Sequence, residues 1–189
     1  DRFDEALELA KKFDLNVLGL HLHSGCGYLT PQLPILDGIL ATLRRDFADR
    51  AGELRYVNIG GGLGLPLTAK DKPLDLIAWR EILDKHFGGT GVELWIEPGD
   101  YIVKDAGILA LEVNTVERKK GTLFVGVNAG ANLLMEPVYY GLPRKVLPCR
   151  EGGRGKVENV TIAGNINEAL DVIACDIDLP AVAEGDYLA

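Results

Sequence analysis

Over the first hundred residues the apolar positions switch period repeatedly. Phe3, Ala6, Leu7, Ala10 and Phe13 recur at helical spacing. Residues 16–23 then form a short, mostly apolar run, which predicts a buried strand. Leu36, Ile39, Leu40, Leu43 and Phe47 fit one helix face, and residues 54–59 read as a second strand. Pro73 stands where a helix can begin, Leu76, Trp79, Leu83 and Phe87 continue at helical spacing, and Gly88-Gly89 ends the pattern. Residues 92–96 read as a third strand. The order α-β-α-β-α-β predicts a parallel sheet.

The pattern changes after Asp100. Residues 110–116, 122–127 and 157–162 read as strands, with turns at 119–121 and 151–155 and no helix between them. The expected fold class is therefore α/β over residues 1–100, followed by a β-rich domain over 101–189. Three strands do not close an eight-stranded barrel. The first half is either a small open sheet or part of something larger. A start already inside a helix and an apolar finish at Tyr187-Leu-Ala favour the larger assembly.

Composition narrows the classes. Hydrophobic residues make up 47% and charged residues 25%, ordinary for a globular protein. The 20 basic and 28 acidic residues give −8, which argues against a general nucleic-acid binder. It does not argue against one small anion, which local dipoles and single side chains can hold. Cys26, Cys149 and Cys175 are odd in number and widely spaced, which favours a reducing cytoplasm over a disulfide framework. No apolar run has the ~20 residues needed to span a bilayer, and the N-terminus does not read as a signal peptide.

Candidate chemistry gathers after the predicted strands. His21-Leu-His-Ser-Gly-Cys26, Gly60-Gly-Gly-Leu-Gly64 and Glu97-Pro-Gly-Asp100 each follow one. In a parallel α/β protein that edge is where ligands bind. The glycine run suits a phosphate nest, or simply a tight strand-to-helix turn. His21 and His23 alternate on a strand and so share a face. Either could stack on a flat ring or sit hydrogen-bonded in the core. A metal site with Cys26 lacks a fourth ligand. Glu97 needs a partner, either an ordinary cation or a protonated pyridine nitrogen.

Together these segments resemble the alanine-racemase-fold decarboxylases that use pyridoxal 5'-phosphate (PLP), the diaminopimelate and ornithine decarboxylases. The family's H-x-H-x-G-S segment is similar to residues 21–26, its N-I-G-G-G-x-G to residues 58–64 and its E-P-G-R to residues 97–100. Gly130-Ala-Asn-Leu-Leu-Met-Glu-Pro-Val-Tyr-Tyr140 resembles its G-M-N-D-L-L-R-P-A-L-Y segment. Gly164-Asn-Ile-Asn-Glu-Ala-Leu-Asp171 resembles its G-P-x-C-E-S-x-D segment. The resemblance implies the latter part of a PLP-binding (β/α)8 barrel over residues 1–100, then the β-rich C-terminal domain. It gives His23 the cofactor ring, Cys26, Gly60, Gly61, Gly62 and Gly99 the phosphate region, and Glu97 the pyridinium nitrogen. Asp100, Glu136, Tyr140 and Glu168 would meet the substrate, and Asn167 stands at a catalytic cysteine position. It also implies a homodimer with shared sites. The Schiff-base lysine would lie upstream of residue 1 and a late tyrosine beyond Ala189, so this chain alone is expected to be inactive.

Four positions depart from the diaminopimelate pattern. Asp100 and Glu136 stand for arginines, Asn167 for cysteine and Cys26 for serine. An arginine-to-acid change removes a bidentate anion donor and adds repulsion. Ornithine decarboxylases place an acid at the Glu136 position. Asparagine cannot serve as an acid near neutral pH. Diaminopimelate is the default substrate by overall similarity. Ornithine, lysine or arginine, and a carrier-bound amino acid, are the alternatives. A silent regulatory homologue is the reading from another class.

Overall fold

In the computed structural model, residues 2–46, 53–150 and 155–189 are described; Phe47 and most of the 151–155 turn fall outside them. The chain divides into two compact units, Asp1–Ala106 and Gly107–Ala189. The division falls six residues after the one expected from sequence, because Asp100–Val103 (α4) and a 3-10 turn at Lys104–Ala106 are helical and stay with the first unit.

The first unit contains α1 (Arg2–Lys12), β1 (Gly19–His21), α2 (Leu33–Asp46), β2 (Tyr56–Asn58), α3 (Leu76–Phe87) and β3 (Glu93–Trp95) before α4. The strands form a parallel sheet in the order β1-β2-β3, as the alternation predicts. Each is only three residues long, shorter than the apolar runs suggest. Burial is also less than expected. Of these strands only the central β2 has buried residues, because among the described residues β1 and β3 each lack a neighbour on one side.

One sheet face packs against the helices. Leu33, Leu36 and Leu40 from α2 and Leu83 from α3 meet Val57, Ile59, Leu63 and Leu74, with Leu40 fully buried. The opposite face carries Gly19, His21, Tyr56, Asn58, Glu93 and Trp95, which pair across the strands in register. Tyr56 and Trp95 stack there with centroids 4.0 Å apart and planes at 4°. Gly19 is required beneath them, since a Cβ would come within 2.4 Å of the Tyr56 ring. Helix α3 starts at Leu76, three residues after Pro73, where the sequence allows a helix to begin. Asp75 caps it, its carboxylate accepting from the Ile77 and Ala78 amides at 3.0 and 3.1 Å. It ends at Gly88, with Gly89 at φ 72°.

The second unit is a five-stranded sheet in the order β7-β6-β5-β4-β8. The strands are β4 (Leu111–Lys119), β5 (Thr122–Val127), β6 (Val157–Ala163), β7 (Val172–Pro180) and β8 (Tyr187–Leu188). All pairings are antiparallel except β5 with β6. The predicted turn at 119–121 is a tight hairpin with Lys120 and Gly121 both at positive φ. The expectation that no helix intervenes after residue 100 is corrected at α4 and by α5 (Met135–Tyr139). Both are too short to show a helical period. The core is Val113, Val125, Val127, Ile162, Leu179 and Leu188, all 2% exposed or less.

Candidate functional site

The C-terminal ends of β1, β2 and β3 converge. The Leu22 amide donates to the Asn58 carbonyl, the Ile59 amide to the Trp95 carbonyl and the Glu97 amide to the Gly60 carbonyl, at 2.8–3.0 Å. These bonds carry the parallel ladder past the strands and bring the three polar segments onto one edge. The glycines are what allow the approach. A Cβ on Gly60 would lie 2.9 Å from His23 Nδ1, one on Gly61 2.2 Å from the Glu97 carbonyl oxygen, and one on Gly62 2.1 Å from the Gly25 carbonyl oxygen. Gly60 and Gly62 also have φ of 73° and 96°, a region that disfavours side chains. His23, the glycine run and Glu97 are thus contiguous, and the Gly25–Gly27 loop bearing Cys26 closes one side. Cys26 is an exposed free thiol.

Asn58 organises this edge, a role that sequence reading missed. It is 8% exposed; its Nδ2 donates to Glu97 Oε1 at 2.6 Å and its Oδ1 accepts from the Gly60 amide at 2.9 Å. One side chain therefore fixes both the carboxylate and the start of the glycine run. The only sequence signal was a polar residue ending an apolar strand just before glycine. Glu97 keeps its second oxygen for another donor. The Gly61 and Gly62 amides have no acceptor among the described residues, although Gly61 is buried. Such amides need a ligand or water. The edge therefore suits a phosphate at the glycines and a protonated nitrogen at Glu97. His21, His23 and Cys26 do not form a metal-holding group among the described residues.

Gly99 precedes α4, and Asp100 opens it. Asp100 is not a free acid, since Lys104 Nζ donates to its Oδ2 at 2.5 Å one turn later. In the second unit, Glu136 lies in α5 and pairs with Arg144. Tyr140 follows α5 and is exposed. Asn167 and Glu168 sit exposed in the turn between β6 and β7, where the Asp171 amide donates to the Glu168 carbonyl at 3.0 Å.

That turn and the segment before α5 are joined by Asp171, also missed from sequence. Asp171 is 3% exposed and accepts from the Ala131 amide at 2.6 Å and the Ile166 amide at 2.8 Å. Gly130 and Gly164 flank it so closely that a Cβ on either would come within 2.3 Å of a carboxylate oxygen. The two glycine-initiated segments of the second unit are thus built around one carboxylate.

Residues 46–189 match the family model of the pyridoxal-dependent decarboxylases, C-terminal sheet domain. The chain belongs to this decarboxylase family. A diaminopimelate decarboxylase of Archaeoglobus fulgidus is 35% identical over 194 residues, 98% of this chain and 46% of the relative. The corresponding enzyme of Methanothermobacter thermautotrophicus is 32% identical over 194 residues, 98% of this chain and 45% of the relative. The crystal structure of diaminopimelate decarboxylase from Helicobacter pylori complexed with L-lysine superposes with a TM-score of 0.75 at 25% identity, over 98% of this chain and 47% of that one. The chain spans a little under half the length of these relatives. Both the α/β-plus-β fold and the dependence of the family on pyridoxal agree with the resemblance read from the motifs. No helix among the described residues is long and apolar enough to cross a membrane.

Proposed function

We propose that the protein is a PLP-dependent amino-acid decarboxylase, a carboxy-lyase of the diaminopimelate type acting in lysine biosynthesis. The observation that carries this reading is the shared edge at which Asn58 holds Glu97 against Gly60 while the Gly61 and Gly62 amides lack acceptors among the described residues. The diaminopimelate decarboxylases similar to this chain support the substrate.

Each residue has a separable task. The Gly61 and Gly62 amides would hold the cofactor phosphate, with the Gly99 and Cys26 segments beside them. His23, close to Gly60, would lie against the cofactor ring. Glu97 would hold the protonated pyridine nitrogen, while Asn58 occupies Oε1 and fixes the carboxylate's direction. When bound, PLP supplies an electron sink for the pair left at the α-carbon as carbon dioxide departs. Glu97 sustains that sink by holding the proton on the ring nitrogen. Asn167 cannot donate a proton to the α-carbon as a thiol could, so that task falls to another group.

The remaining assignments belong to the same reading. The first unit contributes strands to a (β/α)8 barrel, and Tyr140 and Glu168 serve a site shared within a homodimer. The negative charge and the free cysteines suit a cytoplasmic enzyme. Reconstitution of the full-length protein with PLP tests the proposal. A visible absorbance band bleached by borohydride and release of carbon dioxide from diaminopimelate are expected. No cofactor band after reconstitution rules the enzyme out in favour of a silent homologue. Release only from ornithine, lysine or arginine moves the substrate to a basic amino acid.

A further inference from the structure

The glycines at 60, 61, 62 and 64 have no side chains with which to hold their own geometry. Asn58 fixes the Gly60 end of the run. The other end is held from the loop after β1. The Tyr28 amide donates to the Gly62 carbonyl at 3.0 Å, and the Gly64 amide donates to the Tyr28 carbonyl at 2.9 Å. Tyr28 thereby bridges Leu63 in parallel fashion. The approach is close: a Cβ on Gly62 would stand 3.1 Å from the Tyr28 ring, and one on Gly64 2.5 Å from the Gly27 carbonyl carbon.

Tyr28 is tied in turn to α3. Trp79 Nε1 donates to its hydroxyl at 3.2 Å, and both side chains pack against the cluster of Leu36, Leu63 and Leu83. Burial pushes the Tyr28 hydroxyl up from its ordinary value, so it stays neutral. Thr30 repeats the tie. Its hydroxyl donates to the Pro73 carbonyl at 2.5 Å and accepts from the Asp75 amide at 2.7 Å, just before α3 begins. The loop is clamped to a helix on one side and to the glycine run on the other.

The consequence falls on the Gly62 amide, which has no acceptor among the described residues. Only the φ and ψ of Gly62 separate that amide from the carbonyl that Tyr28 holds, and glycine alone leaves both angles loose. Pinning the carbonyl restricts them. An amide already aimed loses little freedom when an anion arrives.

We infer that Tyr28 is a positioning residue for the phosphate-binding amides, acting through Gly62 and held in place by Trp79. This rests on the decarboxylase reading, which puts the PLP phosphate at the glycine run. A side chain that merely fills the core affects every ligand alike. One that aims the glycine amides affects only ligands that carry a phosphate.

Full-length apoprotein, titrated with PLP and with pyridoxal, which lacks the phosphate, separates the two. Tyr28→Phe keeps the ring and loses the bond from Trp79; it should raise the Kd for PLP about threefold, the scale of one neutral hydrogen bond. Tyr28→Ala also removes the ring and should raise it about tenfold. The Kd for pyridoxal should not change in either. Trp79→Phe should match Tyr28→Phe, and the double variant should be no worse than either single, because both remove the same bond. The phosphorus NMR resonance of bound PLP should shift in all of them. Far-UV circular dichroism checks folding, and if Tyr28→Ala does not fold the two phenylalanine variants carry the test. An unchanged Kd for PLP in both of these, or an equal rise for PLP and pyridoxal, overturns the role of Tyr28 while leaving the decarboxylase reading intact. Failure of the wild type to bind PLP overturns that reading and the role of Tyr28 with it.

Discussion

Replacing Asp171 by alanine should collapse the local order of the second unit's two glycine-initiated segments. The carboxylate accepts from two backbone amides in different segments, Ala131 at 2.6 Å and Ile166 at 2.8 Å. Hydrogen bonds to a charged acceptor contribute about 1.5–3 kcal/mol each. Ala131 is itself 4% exposed, so its amide would be left without ready access to water. The expected loss is roughly 3–5 kcal/mol, a large share of a typical stability of ~5–15 kcal/mol. Hydrogen exchange on the full-length protein, followed by mass spectrometry, measures it as faster exchange across residues 128–136 and 164–171. A global melting curve would mix the units. A double-mutant cycle sharpens the test. Gly164→Ala alone places a Cβ 2.2 Å from Asp171 Oδ2 and should be severely disruptive. Gly164 is not among the positive-φ residues, so the clash rather than the backbone conformation is the cause. With Asp171 already replaced by alanine, the same glycine change should cost much less. Additive effects, or less than about 1 kcal/mol for Asp171→Ala, would refute the reasoning.

Three further outcomes are expected. Asn58→Ala should weaken PLP binding by about tenfold, on the order of one lost charge-assisted hydrogen bond, read by cofactor titration; unchanged affinity would remove Asn58 from the site. Leu40→Ala, at a fully buried position between α2 and the sheet, should destabilise the first unit by about 2–5 kcal/mol, read by hydrogen exchange across α2 and β2. Asp37 joins α2 to α3 through Lys85 at 2.8 Å and His86 at 2.6 Å. Hydrogen bonds from Lys85 and His86 hold its carboxyl below the usual carboxylate range. A depressed folded pKa stabilises above the unfolded value, near 4, and that stabilisation is lost as pH falls through the folded value. Asp37→Asn should therefore speed hydrogen exchange across α2 and α3 at pH 7, relative to intrinsic rates, and make little difference at the acid end, and a pH-independent effect would contradict this.

The periodicities of residues 1–100 determined the order of helices and strands, because an amphipathic helix and a buried strand leave different spacings of apolar residues. The motifs determined the family, since His23, Gly60–Gly62 and Glu97 each follow a strand whose end falls on the same sheet edge. Strand lengths were not legible, because the apolar runs include residues beyond the paired ladder, such as Leu18 and Ile96, which are 46% and 42% exposed. Strand β7 went unread because its sequence mixes acids with apolar residues, and β8 because it is two residues long; both are fixed by pairing with β6 and β4. Short α5 is likewise below the length at which a helical period shows. Tertiary structure alone decided the polar partners. Asn58 finds Glu97 39 positions away, and Asp171 finds Ala131 40 positions away. No local pattern encodes such pairs, since they depend on which loops the sheets bring together. The acids at 100 and 136 are plain in the sequence; Asp100 meets Lys104 one turn on, a pair that local spacing allows, whereas Glu136 meets Arg144 only because the chain folds back after α5.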